Sequence, residues 1–358
     1  MGSTVSSESV DSLIFGKYSM ITLRQLLFTL ILLSAAICQN ANAQDIHFSQ
    51  FYSSPLTLNP AMTGNFDGNL RVSGIYRNQW PSINNAFTTN AISVDFPILV
   101  NRIPENDRFG LGIIGYTDQQ ANGALKQDFI SLSAAYHKGL DEDGNNRLSL
   151  GFQGVFTGKS LNVSSLTFED MLRSDGFTGV TNESFKGNQL NVNYFDLNAG
   201  VLYSGVTANN TNFYAGASIY HIVQPKETFL AGQFYLGPRY TVHGGAYFPL
   251  NENLMLHTSA MYQNQSGANE TVLGGALGYN LGNDYSEPAT VYVGAWMRFG
   301  DALMPYFGLE YSKFRLGISY DVTTSNLQTV NQSRGGFELS LIYINKKSGE
   351  HSVPCPKF

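Results

Sequence analysis

Residues 313–321 read KFRLGISYD, a stretch in which every second side chain is apolar. Phe314, Leu316, Ile318 and Tyr320 alternate there with lysine, arginine, glycine, serine and aspartate. Because successive side chains of a β-strand point to opposite faces, this alternation predicts a strand with one apolar and one polar face.

The same alternation returns in residues 147–157 and 239–248. Aliphatic and aromatic residues hold one face there, while small and polar residues with few lysines hold the other. A soluble β-sandwich turns its polar face to water, where we would expect many Lys and Glu side chains. No repeat of about 40 to 50 residues suggests the blades of a propeller. The pattern therefore favours a barrel whose apolar face meets lipid over a sandwich or a propeller.

About fourteen such segments follow one another, each near the roughly ten residues that a tilted membrane strand needs. They fall near 69–80, 87–97, 107–117, 125–137, 146–158, 193–204, 211–222, 234–248, 252–264, 269–281, 289–300, 302–311, 313–322 and 335–345. We therefore predict an all-β fold, a transmembrane antiparallel β-barrel of about 14 strands over residues 69–345. With both barrel ends in the periplasm, the periplasmic turns are short and the extracellular loops longer. The longest connection, about 159–192, is then extracellular.

The composition agrees with this fold. Only 13% of the 358 residues are charged, against about 25% in ordinary soluble domains. The mean hydropathy of -0.12 argues against a helical membrane bundle, which needs several apolar runs of about 20 residues. The formal net charge of -6 has the wrong sign for a protein that binds nucleic-acid phosphates.

The N-terminus reads as an export signal. From Met20, a basic residue at Arg24 precedes the apolar run from Leu26 to Leu33, and Ala41-Asn42-Ala43 forms a small-x-small cleavage site. We predict a signal peptide at 20–43 and an upstream extension outside the fold at 1–19.

Three further expectations follow for the processed chain. Cleavage after Ala43 would remove Cys38 and leave Cys355 alone, so no intrachain disulfide is expected. Residues 44–68 then form an N-terminal segment that is either periplasmic or plugs the lumen. Residues 346–358 form a periplasmic C-terminal tail.

Three motif groups resemble the PorP/SprF family of type IX secretion system outer-membrane proteins. They are QDIHFSQFY at 44–52 with PLTLNPAMTG at 55–64, YRNQW at 76–80, and a C-terminal group of GISYD, FELSL and CPKF at 317–321, 337–341 and 355–358. The motif residues of greatest interest, as structural or partner-binding positions, are Phe48, Ser49, Gln50, Asn59, Pro60, Gly64, Arg77, Gln79 and Trp80. The resemblance covers nearly the whole processed chain.

The resemblance implies an outer-membrane protein of bacteria that use type IX secretion. One implied role is to anchor, or help to secrete, a cell-surface adhesin that carries a type B C-terminal domain. A second is a core secretion or gliding component that contacts periplasmic ring lipoproteins. From the barrel pattern alone, an outer-membrane channel or uptake porin is a third alternative.

We find no motif for catalysis, a cofactor or a metal. The six histidines are scattered without a His-x-x-x-His pair, and neither a Gly-x-Ser-x-Gly elbow nor a P-loop is present. The sequence therefore predicts a protein that is not an enzyme.

If the apolar face meets lipid, a set of charges points into the lumen. Its arginines are Arg71, Arg77, Arg108, Arg147, Arg239, Arg298 and Arg315, and its acids are Asp196, Glu310, Asp321 and Glu338. Two interpretations remain open for this set. The charges pair with one another, because buried charges need partners, or the arginines hold residues 44–66 or a segment of a partner.

Overall fold

The computed structural model describes residues 45–83, 86–100, 102–174, 176–185, 189–230, 232–281 and 289–345. The predicted upstream extension, signal peptide and C-terminal tail lie outside the described residues. None of the helices in the described part of the chain is long and apolar enough to cross a membrane.

The fold is a closed antiparallel barrel of fourteen strands. In chain order the strands are β1 (Leu70–Gln79), β2 (Phe87–Ile98), β3 (Arg108–Gln120), β4 (Leu125–Gly139), β5 (Asn146–Asn162), β6 (Leu172–Arg173), β7 (Gly176–Phe177), β8 (Gln189–Val206), β9 (Asn212–Tyr220), β10 (Arg239–Pro249), β11 (Leu254–Gln265), β12 (Ala268–Asn280), β13 (Ala289–Arg298), β14 (Ala302–Tyr311), β15 (Phe314–Thr323) and β16 (Arg334–Asn345). The two-residue strands β6 and β7 pair with each other outside the barrel.

Consecutive strands are neighbours in the wall, so the chain winds up and down around the barrel. Strand β5 pairs with β8 past the small β6–β7 hairpin, and β1 pairs with β16 to close the wall. This closure places Arg77 opposite Glu338 in the register of β1 and β16. A closed wall leaves no unpaired sheet edge within the lipid, which is the condition for a β-structure that spans a membrane.

The alternation predicted from the sequence is present in the wall. Along β5, Leu148, Leu150 and Phe152 are exposed on the outside, whereas Ser149 and Gln153 are buried on the inside. The predicted fold class is therefore confirmed, and each of the fourteen predicted segments overlaps a barrel strand.

The strand bounds differ most on one side of the barrel. Strand β5 extends to Asn162 and β8 begins at Gln189, so both are longer than predicted, while β10 begins only at Arg239. The asparagines and serines at the ends of β5 and β8 resemble loop residues in composition, but pairing between the two strands continues there from Lys159↔Val192 to Asn162↔Gln189.

The two ends of the barrel differ in the length of their connections. The loop rim carries the connections 163–188, 221–238 and 324–333. The loop rim also carries the shorter connections 80–86, 121–124, 266–267 and 299–301. The terminal rim, where β1 begins and β16 ends, carries the connections 99–107, 140–145, 207–211, 250–253, 281–288 and 312–313, all of them shorter than the three long connections of the loop rim. Outer-membrane barrels have short periplasmic turns and long extracellular loops, so we expect the loop rim to be the extracellular one.

Contact between the outward face of the wall and lipid can be tested by substituting one outward-facing residue of the wall and one control residue outside the wall. Leu132, in the middle of β4, and Val180, in the 163–188 connection, are similarly exposed at 69% and 63%. We expect Leu132→Arg to lower the free energy of unfolding from lipid vesicles by roughly 2–4 kcal/mol, the cost of Arg at the bilayer midplane. Val180 lies outside the wall, so Val180→Arg should change the free energy of unfolding by less than about 0.5 kcal/mol. Equal effects of the two substitutions in a urea titration would contradict a lipid-facing wall.

Candidate functional site

Residues 45–66, called the N-terminal segment from here on, fold as a chain of tight turns inside the barrel. They form 3-10 helices at Phe51–Ser53 and Pro60–Met62 and a single helical turn at Pro55–Leu58. Proline starts two of these turns because its fixed φ suits the first helical position. The Asn59 side chain accepts the N–H of Ala61 at 2.8 Å and so caps the turn that begins at Pro60.

The N-terminal segment is buried from Phe48 to Phe66 except at the half-buried Thr57. Leu56, Asn59, Ala61, Thr63 and Asn65 each have 0% of their surface exposed. The wall of the barrel surrounds these residues, so the segment occupies the lumen.

The segment runs from one rim of the barrel to the other. At its start, the Asp45 N–H donates to Gln265, the last residue of β11, at 2.8 Å. Just beyond its end, the Asn69 N–H donates to the carbonyl of Asn345, the last residue of β16, at 2.8 Å. Because the end of β11 lies at the loop rim and the end of β16 at the terminal rim, the segment spans the whole lumen.

A carboxylate on the wall holds the turn at Ser49. Glu338 accepts the backbone N–H groups of Ser49 and Gln50 at 2.8 and 2.6 Å. Arg77, opposite Glu338 in the wall, pairs with it at 3.1 Å and with Asp321 at 2.9 Å. The Ser49 hydroxyl donates to Asp321 at 2.7 Å and accepts from Arg298 at 2.9 Å. Six of the predicted residues thus meet at one place, namely Ser49, Gln50, Arg77, Arg298, Asp321 and Glu338, with the segment's backbone at its centre.

The Gln50 side chain uses both ends of its amide. Its Nε2 donates to the Ser319 hydroxyl at 3.1 Å and to the Glu338 carbonyl at 3.2 Å. Its Oε1 accepts from the Ser340 hydroxyl at 2.7 Å. These bonds connect the segment to β15 and β16, the strands that close the barrel beside β1.

Asn59 makes the corresponding contact on the opposite wall. Its Nδ2 donates to the carbonyl of Val201 at 2.9 Å and lies 3.0 Å from Nε2 of His243. The Ser218 hydroxyl donates to the neighbouring carbonyl of Leu58 at 2.8 Å. Three successive strands, β8, β9 and β10, are therefore joined to the segment at this point.

The terminal end of the segment is held by arginines and an aspartate. Asp95 accepts the Gly64 N–H at 2.7 Å and pairs with Arg71 through two bonds of 2.9 and 2.8 Å. Arg71 also donates to the carbonyl of Met62 at 3.0 Å, and Arg108 donates to that of Phe66 at 2.8 Å. Such charge-assisted bonds are stronger than neutral ones, so backbone carbonyls of the segment are firmly bound.

The loop-rim end is held by a histidine between two acids. His221, directly after β9, contacts Asp45 at 2.6 Å through Nε2 and Asp196 through Nδ1. Arg239 adds a contact to Asp45 at 3.2 Å. Burial alone would lower the pKa of His221, but the two carboxylates outweigh it and raise the pKa to about 9. The cationic form of His221 therefore holds the start of the segment.

Glycines in the wall let the segment lie directly against the strands. A Cβ at Gly151 of β5 would overlap the backbone of Pro60 and Ala61, and one at Gly200 of β8 would overlap the Asn59 amide. Both positions face the lumen, where any larger residue would push the segment off the wall.

An aromatic cluster fills the lumen beside the segment. Tyr52 packs against Trp296 at 4.8 Å and Tyr306 at 5.9 Å between ring centres. His257 lies 5.3 Å from Tyr52 and stacks on Tyr247 at 4.3 Å. Tyr52 therefore joins the segment to a cluster of rings on the inner face of the wall.

The other predicted residues occupy less central places. Phe48 packs in a small buried cluster with Ile75 and Ala91, and Arg315 pairs with Glu310 at 2.8 Å. Trp80 has a φ of 53°, packs on Phe87 and donates its N–H to Gly335. The remaining positions are Pro60, which begins a turn of the segment, Gln79, which ends β1 partly buried, and Arg147, which is buried in β5.

Several lumen residues were missing from the sequence prediction. The structure adds the buried acids Asp95, Asp118 and Glu270, and Arg298 pairs with Glu270 at 3.1 Å. Their signal was present in the alternation, because Asp95 has the same parity as Ser93, and Glu270 the same parity as the small residues Gly274 and Gly278. Asp45 belongs to this set too, but it lies outside any strand and carried no such signal.

Comparison with known proteins gives one family. Residues 40–343 match the family described as "Type IX secretion system membrane protein PorP/SprF". No curated protein sequence matches the chain significantly.

Solved structures of similar fold share little sequence with the chain. A FadL homologue from Pseudomonas aeruginosa is 12% identical with a TM-score of 0.43, over 80% of this chain and 92% of that one. A deletion mutant of the TodX monoaromatic hydrocarbon channel is 12% identical with a TM-score of 0.44, over 81% and 93%. The translocator domain of the autotransporter NalP from Neisseria meningitidis is 12% identical with a TM-score of 0.38, over 77% and 88%.

The glycine contacts give a test with a control on the same strand. We expect Gly151→Val to displace the segment at a cost of roughly 1–3 kcal/mol, because a side chain there overlaps the backbone of Pro60. Gly154→Val should leave the segment in place, because a Cβ at Gly154 meets nothing within 4 Å. Hydrogen exchange of residues 57–63 measures the difference. Equal protection in both variants would contradict the wall contact.

The contact between cationic His221 and Asp45, called the clamp from here on, should depend on pH. The ordinary pKa of His221 is 6.5 and its pKa when docked is about 9, so the clamp contributes fully below pH 6.5 and is lost as the pH rises through 9. A nitroxide at Ile46→Cys should therefore become more mobile over this range in an electron paramagnetic resonance titration. In His221→Gln its mobility should not change with pH. A wild-type signal that stays constant from pH 6 to 10 would rule out the clamp.

Proposed function

Because the chain belongs to the PorP/SprF family of type IX secretion system membrane proteins, we propose that it holds a secreted adhesin with a type B C-terminal domain at the cell surface. The barrel lies in the outer membrane, and the proposed partner binds at its loop rim. The observation that carries this proposal is the filled lumen, which leaves the extracellular surface as the working part of the molecule.

The filling of the lumen supports an anchor over a diffusion channel. The N-terminal segment is bonded to both rims and to the wall between them, and it is buried from Phe48 to Phe66 except at the half-buried Thr57. A cavity beside it, near Asp45, Tyr116 and Tyr194, has a volume of about 30 Å³, far below the roughly 300–1,000 Å³ of a typical small-molecule site. A solute would have to displace the segment to pass.

Apolar side chains on the loop rim support a protein partner there. Leu172, Phe177 and Val180 in the 163–188 connection are 70%, 60% and 63% exposed, and Leu230 and Phe234 are exposed in the 221–238 connection. These residues lie beyond the wall, so lipid does not account for them. Exposed apolar groups that are not in lipid are typical of protein-binding surfaces.

The proposal is tested by removing these apolar groups without changing the wall. We expect the triple variant Leu172→Ser, Phe177→Ser and Val180→Ser to lose the adhesin that co-purifies with the barrel and to release it from the cell surface. Leu250→Ser, a 52% exposed position on the terminal rim, is the control and should retain it.

Two results would contradict the proposal. Retention of the adhesin by the triple variant would exclude these groups as its docking surface. Loss of all type IX export in a deletion strain, including substrates without a type B domain, would instead indicate a core component that contacts periplasmic lipoproteins.

A further inference from the structure

Strand β8 extends further toward the loop rim than β9, its neighbour on one side. It has 18 residues, whereas β9 has 9. Pairing between them covers only Ala199–Val206 of β8. Within the described part of the chain, residues 189–198 therefore have β5 on one side and no strand on the other.

The backbone groups that face this open side can be identified from one hydrogen bond. The carbonyl of Leu197 accepts the Ile222 N–H at 3.1 Å, so Leu197 points its backbone groups away from β5. In an antiparallel sheet, alternate residues bond to the same neighbour. Asn191, Asn193 and Phe195 therefore present their N–H and C=O groups to the open side, and no described residue bonds to them there.

This part of β8 lies outside the hydrocarbon region. A tilted strand needs roughly 9–11 residues to span it, and β5 and β8 have 17 and 18. The residues beyond this number lie at the loop rim, because the other end of β8 pairs with β9 at the short 207–211 turn. The exposed side chains of Asn191 and Asn193 suit water rather than lipid.

Among the described residues, the edge at 189–195 has none of the usual protection. Residues 189–195 read QLNVNYF, without the Lys, Pro or Gly that discourage strand addition. The described part of the nearby 221–238 connection bonds to β8 at Leu197 and then turns over the lumen. Its Glu227 accepts from the Tyr194 hydroxyl at 2.9 Å and from Lys159 at 2.6 Å, two residues of the inner face.

A second copy of this chain does not fit the edge. Two copies in one membrane are related by an axis along the membrane normal, and barrel strands tilt by roughly 35–45°. The two edges would therefore cross at about twice that angle and could not pair along their length. An extended segment of a different chain can align with the edge, because its backbone repeats the same donors and acceptors.

We propose that residues 189–195 of β8 dock an extended strand of the exported adhesin's C-terminal domain, which continues the barrel sheet above the membrane. The inference rests on the proposed function and adds a second contact with the adhesin, in addition to the apolar side chains of the 163–188 connection. Binding through backbone groups also makes the site tolerant of side-chain changes in the partner.

The test removes one backbone donor and keeps the rest of the strand. Asn193→Pro removes the N–H that faces the open side and leaves the ladder to β5 intact, a position where an edge strand accepts proline. Asn193→Ala removes the same side chain but keeps the N–H. The probe is the recombinant C-terminal domain of the adhesin that co-purifies with the wild-type barrel, added to purified barrels of equal denaturant midpoint.

We expect Asn193→Pro to weaken binding about tenfold or more and Asn193→Ala to leave it within about twofold. The amides of 191, 193 and 195 should also gain protection from hydrogen exchange when the domain binds. Equal binding by the wild type and Asn193→Pro would overturn this inference and leave the anchoring role standing. Failure of the domain to bind the wild-type barrel would overturn both. A barrel dimer that Asn193→Pro abolishes would assign the edge to a second copy.

Discussion

The bond between the Glu338 carboxylate and two consecutive backbone N–H groups, those of Ser49 and Gln50, is the contact on which the interior depends. Glu338 sits in the strand that closes the barrel and pairs with Arg77 of the strand it closes against. The same carboxylate therefore neutralises a buried arginine, joins the first and last strands and fixes the turn that starts the N-terminal segment. Without the segment, these buried charges would lose donors and acceptors that only its backbone supplies.

The N-terminal segment contacts the wall at both ends and in the middle of the lumen. Arginines and carboxylates bind backbone groups at both ends, and glycines at Gly151 and Gly200 permit direct contact in the middle. The inward arginines Arg71, Arg77, Arg239, Arg298 and Arg315 each have a carboxylate partner within 4.0 Å. The lumen charges therefore pair with one another and also bind backbone groups of the segment.

The wall could be predicted from the sequence far better than the interior. Alternation is a local property, so stretches such as 313–321 identified the strands and the faces of Arg77 and Glu338. The turns of the segment have no period, and their contacts join residues far apart in the chain, such as Gln50 with Ser340. Which wall glycine meets which turn depends on the closed register and is not encoded in any short stretch. The start of β8 at Gln189 was not predicted for a related reason, because its polar end becomes a strand only by pairing with β5.

The measurement that tests this account most directly is single-channel conductance in planar bilayers. The wild-type barrel, with its segment bonded to both rims, should show no steady open current. A chain that lacks residues 45–66 but folds with the same strand content should conduct steadily, because the lumen then holds water in place of the segment. Equal, closed behaviour of both chains would contradict the claim that the N-terminal segment fills the lumen.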